Sequence, residues 1–178
     1  MQDTFDQPTV ANVSELLEQF QAYASARVSF LSQLQQDKSC RDPLAEFSEV
    51  LVALLLGAKR AASRVQKGYD LIKLNGRRVQ VKYLANPSTG WINWHTVHFT
   101  ENNEDYALAV FVAFQLQSVL VFPRETISQV CNLLGKRHPH QDTALQFTER
   151  NHKVILADPL RFEALGVEIF QFGETAAG

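Results

Sequence analysis

Gly68-Tyr69-Asp70-Leu71-Ile72-Lys73-Leu74-Asn75-Gly76-Arg77-Arg78-Val79-Gln80-Val81-Lys82 reads as one β-hairpin that carries an aspartate, a glutamine and a lysine. Two β-rich arms flank Asn75-Gly76, a dipeptide that favours reversal because glycine accepts positive φ. Apolar Val79 and Val81 alternate with Gln80 and Lys82, so the two polar side chains leave the strand on one face. A two-residue turn at Asn75-Gly76 sets Asp70 opposite Val81. A three-residue loop, Leu74-Asn75-Gly76 with Gly76 left-handed, sets Asp70 opposite Gln80. The second register sorts the arms better, with Leu71, Val79 and Val81 on one face and Asp70, Gln80 and Lys82 on the other. It leaves Ile72 on the polar face and Lys73 on the apolar one.

Outward from the hairpin, the elements alternate between helix and strand. Apolar residues from about Asn12 to Gln36 follow helical spacing, which predicts a long amphipathic helix that packs on the core or mates with a second subunit. Asp42-Pro43 starts a helix that runs to about Gly57, since aspartate caps free amides and proline suits the first helical position. Its stripe of Leu44, Phe47, Leu51, Leu54 and Leu55 buries against a sheet, and Glu46 and Glu49 lie together on another side. Trp91 to Phe99 reads as an aromatic strand. The apolar runs Tyr106–Phe114 and Val119–Phe122 suit central strands buried on both faces. A helix follows from Pro123 to Gly135, then a strand Val154–Leu156, a turn or short helix to Leu165, and a strand Val167–Phe170. The predicted architecture is α/β, a central mixed sheet flanked by helices, with an N-terminal helical extension over 1–41 and an α/β domain over 42–178.

Composition bounds the class of protein. The chain has 178 residues, 46% hydrophobic and 20% charged, enough for one substantial core. Its start lacks a basic, apolar leader and no apolar run approaches the roughly 20 residues of a membrane span, so a cytoplasmic protein without membrane partners is expected. Two cysteines, Cys40 and Cys131, are too few for a disulfide framework or a cysteine zinc site. A formal charge of -2 argues against a general polyanion binder. Charge is unevenly placed, however: from Lys59 to Lys82 there are eight basic residues against the single acid Asp70. A smaller basic group follows at Lys136-Arg137-His138.

The hairpin residues suggest a chemistry. Phosphodiester hydrolysis needs an activated water and an offset to phosphoryl charge, and a hard cation on oxygen ligands supplies both. Asp70 offers a carboxylate, Gln80 an amide oxygen, Val81 a backbone carbonyl, and Glu46 or Glu49 a second carboxylate. Lys82 positions or helps deprotonate the water and offsets developing charge. So few carboxylates suit Mg²⁺, with Mn²⁺ as a substitute. Arg64, Lys67, Lys73, Arg77 and Arg78 form the candidate phosphate-binding rim, and Asn93 and His95 are candidate nucleic-acid contacts.

A helix glutamate, Asp70 entering a hairpin and Gln80-x-Lys82 leaving it resemble the PD-(D/E)xK nuclease superfamily over about Asp42 to Leu84. The resemblance implies a restriction-endonuclease-like fold and a metal-dependent DNA-cleavage site of Glu49, Asp70, Gln80 and Lys82, with Glu46 in reserve. Tyr69 stands in place of the motif's proline, and Gln80 in place of its acid, which removes a charge from the metal site. The expected function is a Mg²⁺-dependent endonuclease on duplex DNA, of the restriction or host-defence kind, acting as a homodimer. Two alternatives are a repair or recombination nuclease on branched DNA and a non-catalytic DNA-binding module.

Overall fold

A computed structural model describes residues 13–61, 68–87, 90–135 and 144–172, which fall into two compact units, 1–46 and 47–178. The first unit holds the helix α1 (Val13–Gln33) and the first turn of α2 (Pro43–Leu56). Asp42 Oδ1 accepts the Leu44 N–H at 2.7 Å, the cap that Asp42-Pro43 predicts. Arg27 ties α1 to the following loop by donating to the carbonyls of Ser39 and Arg41 at 3.1 and 2.7 Å.

The second unit is built on a six-stranded mixed sheet. Its strands are β1 (Lys59–Arg60), β2 (Leu71–Ile72), β3 (Arg78–Asn86), β5 (Asp105–Val112), β6 (Gln115–Pro123) and β8 (Glu168–Gln171), lying side by side in that order. Among the described residues, β3 and β5 are the one parallel pair in this sheet. β4 (His95–His98) and β7 (Ala144–Phe147) pair separately, and α3 (Ile127–Leu133), α4 (Glu149–Ala157) and α5 (Pro159–Glu163) follow β6. One face of the sheet, with Leu84, Tyr106, Leu108, Val110, Leu120 and Phe122, packs on residues of β4, β7, α3, α4 and α5 to form the main core. The other face meets the second-unit part of α2, where Phe47 sits edge-on to Phe111. No described helix is long and apolar enough to cross a membrane.

The hairpin adopts the three-residue loop. Leu71 pairs with Val79 and Ile72 with Arg78, Lys73 N–H donates to Arg77 O at 2.8 Å, and Gly76 has φ +84°. Glycine is needed there because an L side chain in the left-handed region costs roughly 1–2 kcal/mol. Leu71, Val79 and Val81 are buried, whereas Ile72 is 36% exposed on the polar face, as the register requires.

Elsewhere the chain departs from its sequence reading. Val154–Leu156 is helix, not strand, because it belongs to α4, whose start is fixed by Asn151 Oδ1 accepting the Thr148 N–H at 3.0 Å. Regular strand covers only His95–His98 of the aromatic segment, since Ile92 and Asn93 give their N–H groups to the Asn86 side chain instead of a ladder. β5 stops at Val112, and Ala113-Phe114 forms the turn into β6.

Candidate active site

Asp70 immediately precedes β2, alongside the stretch where β3 runs on, and its carboxylate takes over the ladder. Oδ2 accepts the Val81 N–H at 2.8 Å and the Gln80 side-chain N–H, while the Asp70 N–H donates to Val79 O at 2.9 Å. The N–H and C=O of one strand residue point to the same side, so the Val81 carbonyl also faces the Asp70 edge. Lys82, two residues on from Gln80, shares its face by alternation and is exposed. The structure therefore brings Asp70, Gln80, Val81 and Lys82 to one strand edge.

Tyr106, next to Gln80 on the neighbouring strand, and its partner His95 lie on the β5 side of β3, and sequence reasoning missed the tyrosine. Tyr106 is the β5 register partner of Gln80, and its Oη lies 2.6 Å from His95 Nε2. Burial raises the Tyr106 phenol, helped by the Asp70 charge; burial lowers the His95 imidazole, helped by the Lys82 ammonium. These two influences tie both rings electrostatically to the hairpin residues. A buried tyrosine beside the Q-x-K strand is a signal that only the β3–β5 pairing makes visible.

The other expected site residues are placed differently. Glu49 is buried, and its Oε2 accepts from Arg60 at 2.6 Å. Arg60 pairs with Leu71 and so belongs to the sheet face opposite the Gln80 and Lys82 side chains. Glu46 belongs to the first unit, where Ser39 Oγ donates to it at 2.6 Å and Arg41 lies 3.7 Å away.

Of the basic rim, Arg64 and Lys67 lie outside the described residues, as does Lys136-Arg137-His138. Lys73 bonds Asp105 and Glu168 at 2.9 and 2.6 Å. Arg77 bonds Asp105 and Glu125 at 2.6 and 2.7 Å, and Arg78 bonds Glu104 at 2.6 Å. Three cations drawn from the local excess are thus matched by four acids from distant parts of the chain. Asn93 spends its amide on the Ala85 carbonyl at 2.8 Å.

Among the described residues no group of three or more His, Cys, Asp or Glu side chains is placed to hold a metal. An ion at this edge would rest on the Asp70 carboxylate, the Val81 carbonyl and the Gln80 amide, once that amide turns to present oxygen in place of nitrogen. These are hard oxygen donors with a single negative charge, which fits Mg²⁺ completed by water and phosphate and does not fit zinc.

No family model and no curated protein matches this chain, so the site stands on its own geometry.

Proposed function

We propose that the protein is a metal-dependent DNA endonuclease that hydrolyses phosphodiester bonds at the Asp70–Gln80–Lys82 edge. One observation carries the reading: a carboxylate, a glutamine amide and a strand carbonyl converge where an exposed lysine leaves the same face. Asp70, Gln80 and Val81 would hold Mg²⁺, which when bound supplies charge for the phosphoryl oxygens and lowers the pKa of a water. Lys82 orients the scissile phosphate and offsets the charge that builds on it. Duplex DNA is the substrate we favour, and cutting both strands calls for two such sites, hence a homodimer.

Incubation of supercoiled plasmid with Mg²⁺ or Mn²⁺ tests the reading. Nicked or linear product is expected from the wild type and none from folded Asp70→Ala or Lys82→Ala. Cleavage retained in both variants refutes it. A second reading, a DNA-binding module without catalysis, is favoured by the Gln80 amide nitrogen that occupies Asp70; it predicts salt-sensitive binding with no metal-dependent product.

A further inference from the structure

We propose that α1 is a self-association surface on which a second copy of this chain packs antiparallel, Phe20 of each copy meeting Ala24 of the other. The inference is carried by α1 and does not depend on the nuclease reading. Under that reading, the pairing brings in the second site that cutting both strands calls for.

The helix leaves its apolar stripe open. Over the 21 residues of Val13–Gln33, Leu31 is the one buried residue among those described. Val13, Leu16, Leu17, Phe20, Tyr23 and Val28 are each more than half exposed, from 53% at Leu16 to 73% at Val13. At 3.6 residues per turn all six fall within less than half of the helix circumference, together with Ala24. The Phe20 and Tyr23 rings stand side by side on it, their centroids 6.4 Å apart. A helix draws most of its stability from burying such a face, and one of this length without a partner is marginal in water. The stripe offers on the order of 600 Å² per copy, at the top of what a monomer leaves exposed, and about 1,200 Å² for a pair, where specific interfaces begin.

Shape and charge select the occupant. Leu16, Phe20, Ala24 and Val28 follow one another every four residues, the larger pair in the first half of the row and the smaller pair in the second. Reversed about its midpoint, the row is its own complement: Phe20 falls opposite Ala24 and Leu16 opposite Val28, as a two-fold interface requires. A shallow recess beside Ala24 and Val28, with Ser25 and Ser29, gives the Phe20 ring room. Arg27 is the one charge inside the stripe, its guanidinium donating to the carbonyls of Ser39 and Arg41. A parallel pair in register would set Arg27 against Arg27 and ring against ring, whereas the antiparallel pair sets Arg27 opposite Leu17 and opposes the two helix dipoles. A lipid surface is a poorer occupant, because the polar side of α1 carries Glu15 and Glu18 and no lysine or arginine.

Sedimentation equilibrium of the full chain from about 1 to 100 µM tests the pairing, with folding of each variant checked by circular dichroism and thermal unfolding. The wild type should approach twice the chain mass. Phe20→Glu should weaken the dimer about 100-fold, as expected for a central aromatic anchor. Phe20→Ala and Ala24→Phe should each weaken it about tenfold or more, and the double variant, which exchanges ring and gap, should recover most of the wild-type affinity. A wild type that stays monomeric to 100 µM overturns the proposal and leaves the stripe to another part of this chain or to a different protein. A Phe20→Glu dimer as tight as the wild type moves the interface off α1, and a double variant no tighter than either single one overturns the antiparallel register. Association is read without cleavage, so each of these results leaves the nuclease reading to its own assay.

Discussion

Arg77 grips Asp105 with two nitrogens, Nη2 at 2.6 Å from Oδ1 and Nε at 3.1 Å from Oδ2, and Asp105 is almost wholly buried. Lys73 reaches the same carboxylate at 2.9 Å, so one acid at the start of β5 holds both sides of the hairpin loop. Burying a carboxylate is tolerable only with such partners.

Removing Asp105 should therefore unlock the hairpin. Asp105→Ala is expected to lower unfolding free energy by roughly 3 kcal/mol, because it strands two partly buried cations together. Urea denaturation measures the loss, and a change under about 0.5 kcal/mol would show that Glu125 and Glu168 suffice without it.

Freeing the paired arginines should strengthen nucleic-acid binding. Glu104 and Glu125 neutralise Arg78 and Arg77, and the Arg78 hydrogen bond holds the Glu104 carboxyl down at about 2. The combined Glu104→Gln, Glu125→Gln variant should bind duplex DNA more tightly and steepen the slope of log K against log salt by about 1–2. Fluorescence anisotropy across a salt series reads both, and an unchanged slope would mean that this loop does not face DNA.

His152 makes stability depend on pH. Its ring accepts or donates a hydrogen bond to Ser118 Oγ at 2.8 Å beneath Trp91, and burial pushes its pKa from 6.5 to about 4, against the raising pull of Glu149. The folded state favours the neutral ring, so this contribution is complete above pH 6.5 and is lost as pH falls toward 4. The full span is roughly 3 kcal/mol. Thermal unfolding of His152→Gln should show a flatter profile between pH 6.5 and 4 than the wild type; parallel profiles would assign the acid sensitivity elsewhere.

The β5–β6 turn carries strain that one substitution relieves. Ala113 and Phe114 have φ of +49° and +60°, and Phe114 is 80% exposed, so its side chain gains little burial in return. Phe114→Gly is expected to stabilise by about 1 kcal/mol, the left-handed cost of a β-carbon less the extra chain entropy of glycine. Thermal unfolding checks it, and a lower Tm would mean that the Phe114 ring contributes more contact than its exposure suggests.

The hairpin, its register and the meeting of Asp70 with Gln80 are written in the local order of residues. Alternation assigns side chains to faces, and a glycine at the third loop position selects the reversal, and both act within fifteen residues. The Asp42-Pro43 helix start and the buried runs of β5 and β6 are legible for the same reason. Val154–Leu156 reads as strand because three apolar residues suit either state, and the deciding contact, Asn151 to the Thr148 backbone, is a cap rather than a pattern. Tertiary structure alone decided where the charges went. Lys73, Arg77 and Arg78 look like a rim in sequence, yet their acids lie 26 to 95 residues away and meet them only once β5, β6 and β8 close the sheet. The same closure carries Tyr106 beside Gln80 and His95 onto Tyr106. Electrostatic partners are chosen by distance in space, and a chain reveals that distance only after it has folded.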